Sequence, residues 1–238
     1  MPGPIQLFKN SLSIVGANFS LFLTILLIPI IVSFFTALFA PNPATGVMVT
    51  YESVIYMILM VIYVIISILM SIALILAINN NSLTAKDAYT QAMTYFWKYV
   101  GLSILMTIIL MVGFLLLIIP GIILSVWFAF ATYVLILENG GIVDSLKKSR
   151  EYVRGKWWGV FGRLIVMSIF IALLAMAISM ITVIMPNSSI AEAVVAAFSL
   201  FLTPIAVAYM YLLYNEVKSS PTTAPEAPSS FATNTVAE

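Results

Sequence analysis

The sequence predicts an all-α integral membrane protein in which six transmembrane helices form three repeats, each an interfacial amphipathic helix followed by a transmembrane hairpin. Three observations lead to this fold class. Mean hydropathy is +1.14 and 8% of residues are charged, whereas soluble domains contain about 25% charged residues. Six apolar segments are long enough, or nearly so, to cross a bilayer. The basic residues fall between these segments on one side only.

Composition excludes several classes of site. The chain contains no cysteine and no histidine, so it offers no disulfide framework, no thiolate nucleophile and no histidine proton shuttle. A net charge of +1 gives no long-range attraction to nucleic acid. No motif places a nucleophile beside a base or a glycine-rich phosphate loop before a helix. We therefore expect no enzymatic activity, no cofactor, no metal and no nucleic-acid partner.

A helix needs about 20 apolar residues to cross the bilayer core. The predicted spans are residues 19–40, 51–78, 99–119, 121–137, 160–185 and 190–214. We interpret the first span as a retained helix, because its 22 residues exceed the roughly 7–15 of a signal-peptide core. Residues 1–18 are predicted to form an N-terminal interfacial helix, 19–218 the six-span domain, and the Pro- and Ser-rich residues 219–238 a disordered cytoplasmic tail.

Pro120 and Gly121 separate the third span from the fourth. Proline cannot continue the helical hydrogen-bond ladder and glycine accommodates a positive φ, so the pair predicts a tight turn that closes a hairpin. The alternative is a kink in one long helix. It is disfavoured because about 38 apolar residues exceed what one bilayer requires.

The distribution of cations predicts the orientation. All ten basic residues lie at or near one membrane face: Lys9, Lys86, Lys98, Lys147, Lys148, Arg150, Arg154, Lys156, Arg163 and Lys218. Loops rich in lysine and arginine remain on the cytoplasmic side. The sequence therefore predicts a multi-pass protein of the cell (cytoplasmic) membrane with both termini in the cytoplasm.

Three segments that precede the odd-numbered spans resemble one another, which predicts the repeat. They are "IQLFKNSLSIVGANFSLF", "AKDAYTQAMTYFWKYVGL" and "IVDSLKKSREYVRGKWWGV". In the third, Ile142, Leu146, Val153 and Trp157 share one helical face, and Ser149 fills the gap in this stripe. Such periodicity is typical of a helix lying in the interface plane.

The second segment follows the turn-forming run "NNNS". Ser82 or Thr84 is therefore the predicted cap of its helix.

The stretch from Glu138 to Val160 holds five of the ten basic residues. A nucleic-acid site would need a larger and more continuous basic surface. The cluster is better interpreted as a topology signal that also contacts anionic headgroups, since each cation near such a surface contributes about 1 kcal/mol. The predicted lipid-surface residues are Lys147, Lys148, Arg150, Arg154, Lys156, Trp157 and Trp158. Specific headgroup or partner binding is the alternative.

Five further residues are predicted to form turns or helix junctions. They are Pro120, Gly121, Glu138, Asn139 and Gly140. Asn-Gly is a strong turn pair, so "ENGG" predicts a turn that ends the fourth span.

The run "LIIPGIILSVWFAFATYVLILENGGIVDSLKKSREYVRGKWWGVFG" resembles the membrane domain attached to some glycerophosphodiester phosphodiesterases, and the stand-alone prokaryotic proteins related to it. The shared pattern comprises an "IPG" turn, an aromatic-rich span that ends in Glu138, and a basic helix with Ser149, Gly155 and an aromatic exit. In that family the phosphodiesterase activity belongs to a separate soluble domain. The resemblance therefore implies a membrane architecture rather than a reaction.

The leading functional hypothesis is a non-enzymatic structural or accessory membrane protein in contact with anionic lipids. The alternative is a transporter or channel for a small or lipid-like molecule. No Asp, Glu or Lys lies near the middle of a predicted span, whereas ion-coupled carriers usually place a carboxylate there. The sequence leaves open a homo-oligomer or a partner membrane protein.

Overall fold

Every regular element in the described residues is a helix. The computed structural model describes residues 3–39, 51–184 and 189–220. The helices are α1 Pro4–Ala17, α2 Phe19–Leu38, α3 Tyr51–Asn79, α4 Ala85–Leu116, α5 Ile118–Trp127, α6 Ala131–Leu137, α7 Ile142–Val153, α8 Trp157–Ile184 and α9 Ser189–Ser219. The predicted disordered tail falls almost entirely outside these ranges, at residues 221–238.

Six helical segments are long and apolar enough to cross a membrane, which confirms the predicted number of spans. They are Phe19–Leu38, Ser53–Asn79, Ala85–Leu116, Ile118–Leu137, Trp157–Met180 and Phe198–Ser219. Their surfaces require lipid, because large apolar side chains such as Leu115 and Ile119 are 83% and 71% exposed. Water would solvate such a continuous apolar surface poorly. The chain is a multi-pass membrane protein.

The core lies toward one end of the helices. Ile72, Leu74 and Ala77, in the last third of α3, are buried, whereas Met57 and Val61, nearer its start, are largely exposed. The buried end also carries cations in contact with other groups, namely Lys98, Lys148, Lys156 and Lys218. We call it the basic end.

The turn between the third and fourth spans lies at Leu117, so the predicted turn at Pro120 and Gly121 is wrong. Leu117 is extended, with φ −164° and ψ 148°. Pro120 is the third residue of α5, where a helix needs no amide donor. Gly121 is buried, and a Cβ atom there would collide with the ring of Phe114. Its small size lets α4 and α5 approach closely, so the pair shapes the hairpin by packing.

The fourth span is interrupted, which the sequence reasoning did not predict. Phe128–Phe130 separates α5 from α6. Ser149 of α7 bridges this interruption, because its Oγ donates to the carbonyl of Trp127 at 2.7 Å and accepts from the amide of Phe130 at 3.2 Å. A hydroxyl can satisfy both groups because it is a donor and an acceptor. The predicted gap in the apolar stripe of α7 is therefore a buried polar contact.

Two of the three segments that precede the odd-numbered spans form separate helices, and the other is continuous with its span. Asn18 separates α1 from α2, and Gly155, in the left-handed region at φ +79°, follows the end of α7. The second segment is instead continuous with its span in α4, so the expectation of a separate helix there is wrong. Thr84 caps α4, because its side chain accepts from the amide of Asp87, which confirms one of the two predicted caps.

Replacement of Ser149 by alanine should lower the free energy of unfolding by about 1–3 kcal/mol, because it leaves the Trp127 carbonyl and the Phe130 amide without a partner. Thermal or denaturant unfolding of the purified protein in detergent measures the change. Ser145→Ala is the matched control, since Ser145 is equally buried but its hydroxyl donates to the carbonyl of Gly141, which caps the same helix. Equal losses for the two variants would contradict this role for Ser149.

Candidate functional site

A polar cluster surrounds Glu138 at the basic end. Its Oε1 accepts from the hydroxyls of Tyr152 at 2.8 Å and Tyr214 at 2.5 Å. Lys218 Nζ lies 3.1 Å from Oε1, and Lys148 Nζ lies 3.2 Å from Oε2. Glu138 lies just after α6. It is joined to α7 through Lys148 and Tyr152, and to α9 through Tyr214 and Lys218. We call these five residues the Glu138 cluster.

The cluster keeps the carboxylate ionised. The side chain of Glu138 is only 13% exposed, and this burial by itself raises its pKa. The hydrogen bonds from Tyr214, Tyr152, Lys218 and Lys148 have the larger combined effect and lower the pKa of Glu138 to about 2. Burial, followed by the hydrogen bond to Glu138 and its negative charge, raises the pKa of Tyr152 to about 12. The site is thus a fixed negative charge held by neutral hydroxyls and ammonium groups.

Aromatic rings enclose the α9 side of the cluster. The ring of Tyr214 stacks on Tyr133 with centroids 5.7 Å apart and contacts Phe130 and Tyr152 at 6.2 Å. The hydroxyl of Tyr133 donates to the carbonyl of Val207 in α9. These rings restrict the access of water to one side of the carboxylate, which strengthens its hydrogen bonds.

Asn139 and Gly140 lie in the connection between α6 and α7, at the position where the sequence predicts a turn. Asn139 is in the left-handed region at φ +50°, and Gly141 caps the start of α7. Asn139 Oδ1 accepts from Lys98 of α4 at 3.0 Å. The turn therefore connects α6 to α7 and also contacts the third span.

Two of the predicted lipid-surface cations bind other parts of the protein. Lys148 pairs with Glu138. Lys156 donates to the carbonyls of Val217 at 3.1 Å and Ser220 at 2.6 Å, and so satisfies carbonyls that the end of α9 leaves free. These two lysines link α7 and the α7–α8 junction to their neighbours.

The other three predicted cations share an exposed face of α7 and its end. Lys147, Arg150 and Arg154 are all exposed, and their spacing of three and four residues places them on one side of the helix. The guanidinium of Arg150 lies 4.3 Å above the ring of Trp127. We call Lys147, Arg150 and Arg154 the basic face.

The two predicted tryptophans have different environments. Trp157 is partly buried and stacks on Phe161 with centroids 4.8 Å apart. Trp158 is 76% exposed beside it. Trp158 therefore lies at the surface of the protein, while Trp157 packs at the start of α8.

Sequence reasoning missed most of the Glu138 cluster. Tyr152, Tyr214 and Lys218 were not predicted as site residues. A partial signal exists, because Tyr214 and Lys218 are four residues apart and so share one face of α9. A second cross-helix pair was also missed, in which Arg163 of α8 approaches Glu216 of α9 at 3.8 Å.

A family model described as "Domain of unknown function (DUF7847)" matches residues 48–217, which is more than half of the chain. The chain belongs to this family. The DUF7847 region runs from just before α3 into the last turn of α9. It contains all of α7, and Lys218 directly follows it. Neither a curated protein nor a solved structure matches the chain.

The depressed pKa of Glu138 predicts a pH dependence of stability. Because the folded pKa of about 2 lies below the ordinary 4.5, the contribution of Glu138 is complete above pH 4.5 and is lost as the pH falls toward 2. The Tm difference between wild type and Glu138→Gln should therefore be largest near neutral pH and should shrink below about pH 4.5.

Glu151→Gln provides the control, since Glu151 is an exposed carboxylate on the neighbouring helix α7. Its Tm should follow the wild-type pH profile. A gap between wild type and Glu138→Gln that stays constant from pH 7 to pH 3 would show that the ionised form of Glu138 is not stabilised by folding.

Proposed function

We propose that this DUF7847 protein is a non-enzymatic structural or accessory protein of the cell membrane, whose basic face rests against anionic lipid headgroups. One observation carries the proposal. Lys147, Arg150 and Arg154 are exposed together and form no ion pair with the carboxylates of the described residues. An exposed Trp158 adjoins them, and tryptophan favours the headgroup region.

The sequence asymmetry supports an orientation for this contact. The Lys- and Arg-rich segments alternate with segments that contain no cation, so the positive-inside rule places the basic end and both termini in the cytoplasm. There the basic face meets the leaflet surface whose anionic lipids attract cations.

Burial patterns support the three-repeat organisation of the membrane domain. The fourth and eighth residues of α1, α4 and α7 are each at most 3% exposed. They are Leu7 and Ser11, Ala88 and Ala92, Ser145 and Ser149. Five of these six residues are small, which lets each helix approach its neighbours closely at equivalent positions.

The resemblance to the membrane domain of glycerophosphodiester phosphodiesterases also supports an accessory role. In that family the reaction belongs to another domain. The absence of cysteine and histidine from this chain agrees with a function in binding or support.

Neutralisation of the basic face should reduce the enrichment of anionic lipid around the protein. Wild type and the triple variant Lys147→Gln, Arg150→Gln, Arg154→Gln are extracted in native nanodiscs, and the lipids are quantified by mass spectrometry. We expect anionic lipids to be enriched around the wild type and to fall toward the bulk membrane fraction in the variant.

The double variant Lys148→Gln, Lys156→Gln separates lipid contact from stability. Because both lysines bind other parts of the protein, this variant should lower Tm more than the triple variant does. Unchanged lipid enrichment in the triple variant contradicts the proposal. Flux of a solute in proteoliposomes that depends on the protein would instead support the transport alternative.

The proposed orientation has its own test. A reporter that is active only in the cytoplasm, fused after residue 238, should be active. The same reporter inserted in the cation-free segment at residues 41–50 should be inactive. The opposite result would place the basic end outside the cytoplasm and would exclude contact with the cytoplasmic leaflet.

A further inference from the structure

The basic face lines a cavity rather than a flat surface. The cavity has a volume of about 500 Å³ and is bounded by Lys147, Arg150, Arg154, Glu151 and Trp127. Three cations and one carboxylate give its lining a formal charge of +2. Arginine and lysine together are suited to a phosphate group, which accepts several charge-assisted hydrogen bonds.

A second cavity, of about 600 Å³, adjoins the first and is almost entirely apolar. Trp127 and Arg154 line both cavities. The remaining lining comes from α5 on one side and from the α7–α8 junction on the other, and includes Ile119, Ile123 and Trp158. A charged cavity, the mouth, thus lies directly beside an apolar cavity, the trough.

The trough extends farther along α8. A third cavity, of about 460 Å³, shares Ile122 and Phe161 with the second and reaches Ile169. Each cavity shares two lining residues with the next, so the three lie in a row that begins at the basic face and ends near Ile165 and Ile169. We call this row of cavities the α5–α8 groove.

This arrangement has the polarity of a phospholipid. A soluble phosphate compound would leave the apolar part of the groove uncovered, and an apolar partner helix would leave the cations of the mouth without partners. An anionic glycerophospholipid satisfies both parts, because its phosphate meets the basic face and its hydrocarbon chain covers the trough. Basic pockets between transmembrane helices bind anionic headgroups in this way.

We propose that α5, α7 and α8 form a specific site for one anionic glycerophospholipid, with the phosphate at Lys147, Arg150 and Arg154 and one hydrocarbon chain in the α5–α8 groove. The proposal rests on the proposed function and deepens it, since a single saturable site replaces a diffuse attraction. Arg150 is positioned by its contact with Trp127, which pre-organises the mouth.

Native mass spectrometry of the full chain, titrated with phosphatidylglycerol or phosphatidylcholine, tests the site. The wild type should retain one phosphatidylglycerol with saturable affinity and should bind phosphatidylcholine much more weakly. The double variant Lys147→Gln, Arg154→Gln should bind the first phosphatidylglycerol roughly 30-fold more weakly, at about fivefold per cation.

Two further variants make the test specific. Lys9→Gln, Lys86→Gln removes the same charge from exposed positions outside the groove and should leave the first-lipid affinity unchanged. Ile123→Trp fills the trough while it retains every cation, and it should weaken phosphatidylglycerol binding. A Tm close to that of wild type establishes that each variant is folded.

The outcomes distinguish the site from the general lipid contact. Suppose that Lys147→Gln, Arg154→Gln and the control Lys9→Gln, Lys86→Gln reduce the retention of phosphatidylglycerol equally, and that no single lipid binds saturably. The diffuse lipid contact then stands and the specific site is wrong. If neither variant changes retention, both proposals fail. Glycerol phosphate that competes fully with the lipid, or an unchanged affinity in Ile123→Trp, would exclude a chain in the groove. A wild-type dimer without lipid would assign the groove to a second copy of the chain.

Discussion

The buried carboxylate of Glu138 is the constraint on which the arrangement at the basic end depends. A charge held among apolar side chains is costly unless it is paired and hydrogen-bonded. Its partners come from α7, which supplies Lys148 and Tyr152, and from α9, which supplies Tyr214 and Lys218. An arrangement that moved α7 or α9 away would remove two of the four partners of the carboxylate. The cluster therefore favours one relative placement of α6, α7 and α9.

The placement of α7 determines which groups its other residues contact. With Lys148 directed at Glu138, helical spacing turns Ser149 toward the interruption between α5 and α6. It also places Lys147 and Arg154 on a different side of α7 from Lys148, where they line the mouth of the α5–α8 groove. The short helix α7 therefore has three roles. Lys148 pairs with Glu138, Ser149 satisfies the backbone groups at the interruption between α5 and α6, and Lys147 and Arg154 line the mouth of the groove.

Lipid has to cover the apolar side chains that are not buried within the protein. The start of α3 and the tip of the α4–α5 hairpin expose large apolar side chains, so packing within the bundle is concentrated at the basic end. Hydrocarbon is as apolar as these side chains, and contacts between spans therefore rely on close approach and polar groups rather than on exclusion of water. Gly113 and Gly121, which meet between α4 and α5, and the cross-helix bonds of Tyr133 and Tyr214 fit this requirement.

The sequence by itself determined the features that depend on neighbouring residues: six apolar spans, the Thr84 cap, the Asn139 turn and the buried stripe of α7. Hydropathy, capping and turn geometry act over a few residues, so a single segment is enough to predict them. The tertiary structure decided the turn at Leu117, the interruption at Phe128–Phe130, and the partners of Glu138 and Lys156. These features depend on groups from segments distant along the chain, as with Tyr214, which lies 76 residues from Glu138. Buried polar groups need hydrogen-bond partners, and the fold supplies these from distant segments. The spacing of residues along the sequence does not indicate which segments will meet.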